Sequence, residues 1–231
     1  MTATDQIRDY QADLALFVGG SWKLGEGRDL FPVVDPARGE QIAALPLATP
    51  ADLDEALDAA DKGFQLWRAT PVETRAAVLK KAAALLRERA DAIGRLLTLE
   101  QGKPLAEARS EVIGAAQFFD WCAEEASRVY GRVLVRPTGQ RALVTKQPVG
   151  PVAAFTPWNF PVYLMAKKLA PALAVGCSVV AKPPEETPGC TGAVMRCLAD
   201  AGLPAGVAQL VHGVPDAVSR HLLASPVIRK V

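Results

Sequence analysis

From Val149 onward the chain alternates short apolar runs with longer stretches of helical spacing, and this constrains the fold most. The apolar runs are residues 152–156, 178–181, 207–211 and 227–231. Between them lie residues 162–175, 188–201 and 216–224, which carry helix signals. Thr187 stands as a cap with Pro188 in the first turn, and Gly202 ends that segment. Pro171 should kink or end the helix that contains it. Strand–helix alternation of this kind specifies parallel βαβ units with helices covering both faces of a sheet. The expected class is therefore α/β, a Rossmann-like parallel sheet with flanking helices. The sheet is expected to be incomplete, because the fourth apolar run, at 227–231, opens a strand and goes no further.

The preceding residues are of two kinds. Phe17-Val18-Gly19-Gly20-Ser21-Trp22 carries a Gly-Gly turn signal between apolar residues. The 31–36 segment is held extended by its prolines, and residues 41–47 follow a turn at 37–40. Thr49-Pro50 then reads as a cap and first turn for a helix over 51–67. From Val72, the set Leu79, Ala82, Leu86, Ala90, Ile93, Leu97 steps by three and four and reads as one helical face. A second set runs Leu105, Ala108, Val112, Ala115, Phe119, Cys122, Ala126, with Arg109, Glu111, Glu124 and Arg128 assigned to the outer faces. Glu100-Gln101-Gly102-Lys103 reads as a helix end with a glycine stop and a cation near the negative end of the dipole. Residues 132–136 and 141–146 flank Pro137-Thr138-Gly139-Gln140 as a β-hairpin. Such a hairpin has to pack on its own domain or on another subunit, because alone it is marginal in water. The expected organisation is N-terminal strands and helical scaffold over 1–130, hairpin over 131–147, and a βαβ segment over 148–231.

Composition excludes several function classes. A net charge of +1 gives no basic excess for nucleic acid. The longest uncharged run, between Lys146 and Lys167, contains Pro148, Pro151, Pro157 and Pro161 and so cannot be one membrane helix. Met1 to Leu16 lacks the apolar core of a secretory leader. Cys122, Cys177, Cys190 and Cys197 form no C-x-x-C pair, and His212 and His221 are the two histidines, so no metal site or disulfide framework is expected. Cys122 and Cys177 read as buried filler, and the compartment as reducing and cytoplasmic.

No G-x-G-x-x-G fingerprint is present. The polar groups instead gather after the first two parallel strands, where α/β sheets bind ligands. After the first come Phe155-Thr156-Pro157-Trp158-Asn159-Phe160-Pro161; after the second, Lys182-Pro183-Pro184-Glu185. Taken bare, Asn159 reads as a loop amide bonding its own turn, or as a donor aimed at a developing oxyanion. Lys182 and Glu185 read as a solvated pair or as ligands for ribose hydroxyls, with the two prolines stiffening their loop.

These runs, in this order, resemble the aldehyde dehydrogenase superfamily. The resemblance is carried by Lys146-Gln147-Pro148-Val149-Gly150, Thr156 to Pro161, Pro171 to Cys177, Lys182 to Pro188, Thr98 to Leu105 and Pro226 to Val231. It spans nearly all of the chain, with a succinate-semialdehyde dehydrogenase-like flavour. It implies an oxidoreductase in which Asn159 is the oxyanion-hole amide and Lys182 and Glu185 grip the adenosine ribose. Phe155, Thr156, Pro157 and Trp158, with Pro183 and Pro184, would shape the cofactor crevice. The cofactor expected is NAD rather than NADP, because Glu185 would repel a 2′-phosphate. Lys167 matches a substrate-carboxylate arginine and keeps its charge without the bidentate fork. The hairpin matches the family's oligomerisation arm, so a homo-oligomer is expected.

The resemblance also implies a nucleophilic cysteine and a general-base glutamate that no residue of this chain matches. The chain is therefore expected to be the N-terminal portion of an enzyme, without its catalytic domain and inactive alone. A non-catalytic nucleotide-binding or assembly module, and one half of a split enzyme, are the alternatives.

Overall fold

The computed structural model describes residue 10 and residues 12–231; residues 1–9 and 11, on which the leader reading partly falls, lie outside the described residues. Strands β1 (Leu16–Val18) and β2 (Ser21–Lys23) form the hairpin expected from Gly19-Gly20. β3 (Leu30–Asp35) and β4 (Glu40–Pro46) pair antiparallel as a separate ribbon. Helix α1 (Pro50–Ala69) follows, started by a complete capping box. The Thr49 side chain accepts from the Asp52 N–H, and the Asp52 carboxylate accepts from the Thr49 N–H.

The apolar stripe from Leu79 to Leu97 is not one helix. It breaks at Arg89 (φ −95°, ψ 10°) into α2 (Val72–Glu88) and α3 (Ala90–Gln101). Every member of the stripe remains buried on both sides of the break, so burial of the stripe alone does not report it. Helix α4 (Leu105–Glu125) and a 3₁₀ turn (Ala126–Arg128) lead to β5 (Arg132–Val135) and β6 (Arg141–Val144). Among the described residues that hairpin makes its main contacts within itself, and Val133, Val135 and Leu143 are all well exposed.

The alternating segment then gives β7 (Val152–Phe155), α5 (Pro161–Ala174), β8 (Val179–Lys182), α6 (Pro188–Asp200), β9 (Ala208–Leu210) and α7 (Pro215–Ala224). β7, β8 and β9 are parallel neighbours. The sheet is mixed, in the order β2-β1-β9-β8-β7, because the N-terminal hairpin adds antiparallel to β9 through Phe17 and Leu210. α5 runs through Pro171 and ends at Ala174. The expected fourth strand is reduced to one parallel bridge between Val152 and Lys230, because residues 226–227 still form a turn after Ser225.

Both faces of the sheet are covered. Alternate residues of the strands point to opposite sides, as the period of two requires. Val179 and Ala181 join a large core with α2 to α6, while Val180 joins Leu53, Leu57, Val218 and Leu222 of α1 and α7. Gly63 lets α1 settle on the loop before β9: a Cβ there would lie 2.0 Å from the Gly206 carbonyl oxygen. Residues of the first 130 and of the last 84 share the larger core, so the scaffold helices fix the strand ends directly.

Candidate functional site

The two loops after β7 and β8 lie side by side, tied by the Thr156 N–H donating to the Lys182 carbonyl (3.3 Å). Phe155 and Thr156 are half-buried, and Pro157, Trp158, Asn159 and Phe160 are exposed. Trp158 is 55% and Phe160 52% exposed, large values for aromatic side chains. The second loop is the opposite. Lys182, Pro183, Pro184 and Glu185 are all buried, and the Lys182 ammonium meets the Glu185 carboxylate at 2.6 Å. The other Glu185 oxygen accepts from the Gly213 N–H at 3.0 Å, after β9. The reading of a solvated pair is thereby corrected, since both side chains lie inside the protein.

His212 precedes Gly213 and is fully buried, with Nδ1 unpartnered. Desolvation, and then the neighbouring Lys182 charge, push its pKa down to about 3, so it is neutral near pH 7. Nothing in the sequence pattern singled it out. Lys167 is exposed on α5, with its ammonium 5.0 Å from the centre of the Tyr163 ring. It lies two helical turns beyond Asn159 and makes no contact with the Lys182–Glu185 pair.

Three residues read as scaffold turn out to organise these loops. The helical pattern puts Glu111 on an outer face, yet it is buried, and one oxygen accepts from the N–H groups of Val162 (3.0 Å) and Tyr163 (3.1 Å) at the start of α5. Lys103 pairs with its second oxygen, donates to the Asn159 carbonyl at 3.0 Å and sits 4.2 Å from the centre of the Phe160 ring. The sequence makes Glu100 a plain helix end, yet it is buried and accepts from the N–H groups of Gly189 and Cys190 and from the Tyr10 hydroxyl. Desolvation raises its pKa against those bonds. Thr187 is at the N-cap of α6 but its side chain makes no capping bond, because Glu100 occupies the helix start. The available signal was a buried-type period: Glu111 lies three residues after Ala108 and one before Val112 on the apolar set.

The positive N-terminus of a helix is the usual seat for a pyrophosphate. Here the starts of α5 and α6 are each held by a buried carboxylate, which would repel one. Each Glu185 oxygen keeps a lone pair beyond its present bond.

All four cysteines are buried and free. Burial raises Cys122 and Cys197 to about 11 and Cys190 well above its ordinary value, so none of those three is an activated thiolate. Among the described residues no helix is long and apolar enough to cross a membrane.

Comparison with known proteins agrees with this geometry. The sequence profile of the aldehyde dehydrogenase family matches residues 22–231. The 4-(hydroxymethyl)benzenesulfonate dehydrogenase TsaD1 of Comamonas testosteroni is 51% identical over 217 residues, 94% of this chain and 45% of that protein. The succinate-semialdehyde dehydrogenase [NADP(+)] GabD of Escherichia coli (strain K12) is 40% identical, over 93% of this chain and 45% of its own. The crystal structure of succinate-semialdehyde dehydrogenase from Burkholderia pseudomallei superposes with a TM-score of 0.92 at 40% identity, covering 95% of this chain and 46% of that one. The chain thus spans a little under half the length of the relatives it matches.

Proposed function

The chain belongs to the aldehyde dehydrogenase family, and from that premise we propose that it is the N-terminal, cofactor-binding portion of an NAD-dependent enzyme oxidising an aldehyde to a carboxylic acid. The observation that carries this is the juxtaposition of an exposed Trp158-Asn159-Phe160 loop with the buried Lys182–Glu185 pair. When bound, the nicotinamide supplies the hydride acceptor. Lys182 and Glu185 would hold the adenosine ribose, on a loop whose buried Pro183 and Pro184 limit its freedom, beside Phe155 to Trp158. The side-chain amide of Asn159 would donate to the oxyanion formed when a nucleophile from outside this chain attacks the aldehyde carbonyl. Lys167 would meet an acidic group of the substrate, and the relatives named for sulfonate-bearing and semialdehyde compounds favour an anionic aldehyde.

By itself the 231-residue chain should oxidise no aldehyde. Its organisation is read as scaffold over 1–130, hairpin over 131–147 and cofactor segment over 148–231. The exposed apolar side chains of the β5–β6 hairpin support a homo-oligomer built through it. Four free cysteines support a reducing, cytoplasmic setting.

Glu185 favours NAD, since its carboxylate would meet a 2′-phosphate in a buried site. GabD carries NADP(+) in its name, so the cofactor is the decisive measurement. Calorimetric titration of the chain should give tighter binding of NAD than of NADP, and Glu185→Ser should raise the NADP/NAD affinity ratio at least about tenfold. Equal or tighter NADP binding by the unaltered chain would overturn the assignment.

A further inference from the structure

We infer that Lys103 and Glu111 are positioning residues for the oxyanion amide, acting through the backbone of Asn159; this rests on the functional reading above. Asn159 lies in an exposed loop, where an amide would ordinarily sample several directions and lose most of its value as a preorganised donor. Lys103 removes that freedom on one side. Its ammonium donates to the Asn159 carbonyl at 3.0 Å and lies over the face of the neighbouring Phe160 ring at 4.2 Å. Glu111 removes it on the other, by taking the N–H groups of Val162 and Tyr163, three and four residues further on. The two side chains bond to each other and are nearly dry: Lys103 is 9% and Glu111 3% exposed. The loop is thus clamped at residues 159, 160, 162 and 163 by one buried ion pair.

The local sequence provides this placement. Gly102 ends α3 in the left-handed region (φ 87°), with the Pro36 ring against it, and Pro104 stands immediately before α4. Lys103 is therefore the one residue between the caps of two helices, and its side chain turns towards the start of α5. Neither residue touches the Lys182–Glu185 pair, so the clamp should act on catalysis and leave ribose binding alone.

Two measurements test this. In the 231-residue chain, hydrogen exchange at the Val162 and Tyr163 amides should accelerate at least about tenfold in Lys103→Met and in Glu111→Gln, with Gly189 and Cys190 unchanged. Unchanged exchange at 162–163 overturns the clamp. In the intact enzyme carrying this chain, Lys103→Met should lower kcat at least about tenfold with little change in KM for the cofactor, and should add nothing on an Asn159→Ala background. Losses that multiply in the double variant show a merely structural role and overturn the proposal alone. An unaltered enzyme that oxidises no aldehyde overturns the functional reading and this proposal together.

Discussion

The loops after β7 and β8 begin alike and end in opposite states. Each leaves a parallel strand, each is followed by a helix with proline at its first position, and each helix start is held by a buried glutamate from the scaffold, Glu111 or Glu100. Yet the first loop shows its candidate side chains to the outside, whereas the second buries them as a bonded pair. The difference lies in the side chains each must satisfy. Asn159 is neutral and can wait for a ligand at little cost. Lys182 and Glu185 are charged, and charges withdrawn from water need each other and further hydrogen bonds. The Gly213 N–H supplies one of these. The first loop is therefore rigid through its backbone, and the second through its side chains.

The largest test of that contrast is Lys182→Met. It leaves the Glu185 carboxylate buried with Gly213 as its one remaining partner, and breaking a buried pair in this way costs about 3–5 kcal/mol. Urea unfolding should show that loss, and a change under about 1 kcal/mol would mean that the pair is more hydrated than its burial indicates. Next in size is Glu100→Ala, which strands the N–H groups of Gly189 and Cys190. The expected loss is about 1–3 kcal/mol by the same measurement, because unmet buried donors cost about that much.

The sequence made most of this architecture legible. Period-two and period-three-to-four patterns, capping residues and glycine stops located nearly every element, because those signals are local. They did not show that β1 and β2 extend the parallel sheet, since pairing of β1 with β9 joins residues almost two hundred positions apart. Nor did they separate α2 from α3, where the buried stripe carries across the break. The candidate ligands Asn159, Lys182 and Glu185 were legible as residues, and the family resemblance supplied the roles proposed for them. Glu100, Lys103 and Glu111 were not, because a charged residue on a helix or just past its end reads as solvated until its distant partner is known. Glu111 meets residues about fifty positions on and Glu100 about ninety.

An effect that is absent near pH 7 and grows in acid also separates the second loop from the first. His212 has a folded-state pKa of about 3 against an ordinary 6.5. The folded protein then binds fewer protons than the unfolded chain between those values. The stability His212 contributes is complete above about pH 6.5 and is lost as pH falls towards 3, at up to about 1.4 kcal/mol per unit. Glu100 has the opposite sign: its raised carboxyl pKa costs stability as pH rises through its folded value. His212→Leu should therefore flatten the dependence of unfolding free energy between about pH 4 and 6 by close to one proton. An unchanged slope would place the titration elsewhere. Although burial opposes it, bonds from Arg28, Thr49 and Lys23 hold Asp52 below the usual carboxylate range, so it too loses its contribution in acid.

The smallest effect on stability should come from the residue with the largest expected role in chemistry. Asn159→Ala removes an exposed side chain that makes no hydrogen bond among the described residues, while Lys103 keeps its bond to the backbone carbonyl. Unfolding free energy should stay within about 0.5 kcal/mol, as for surface changes away from special features. In the intact enzyme, kcat should fall by about 10²–10³, the usual consequence of removing one oxyanion donor. If stability and activity moved in proportion, Asn159 would be holding the loop together, and the division between a backbone-fixed loop and a side-chain-fixed one would fail. A fall in kcat at constant stability instead requires the loop to be rigid without its amide, as the contacts of Lys103 and Glu111 imply.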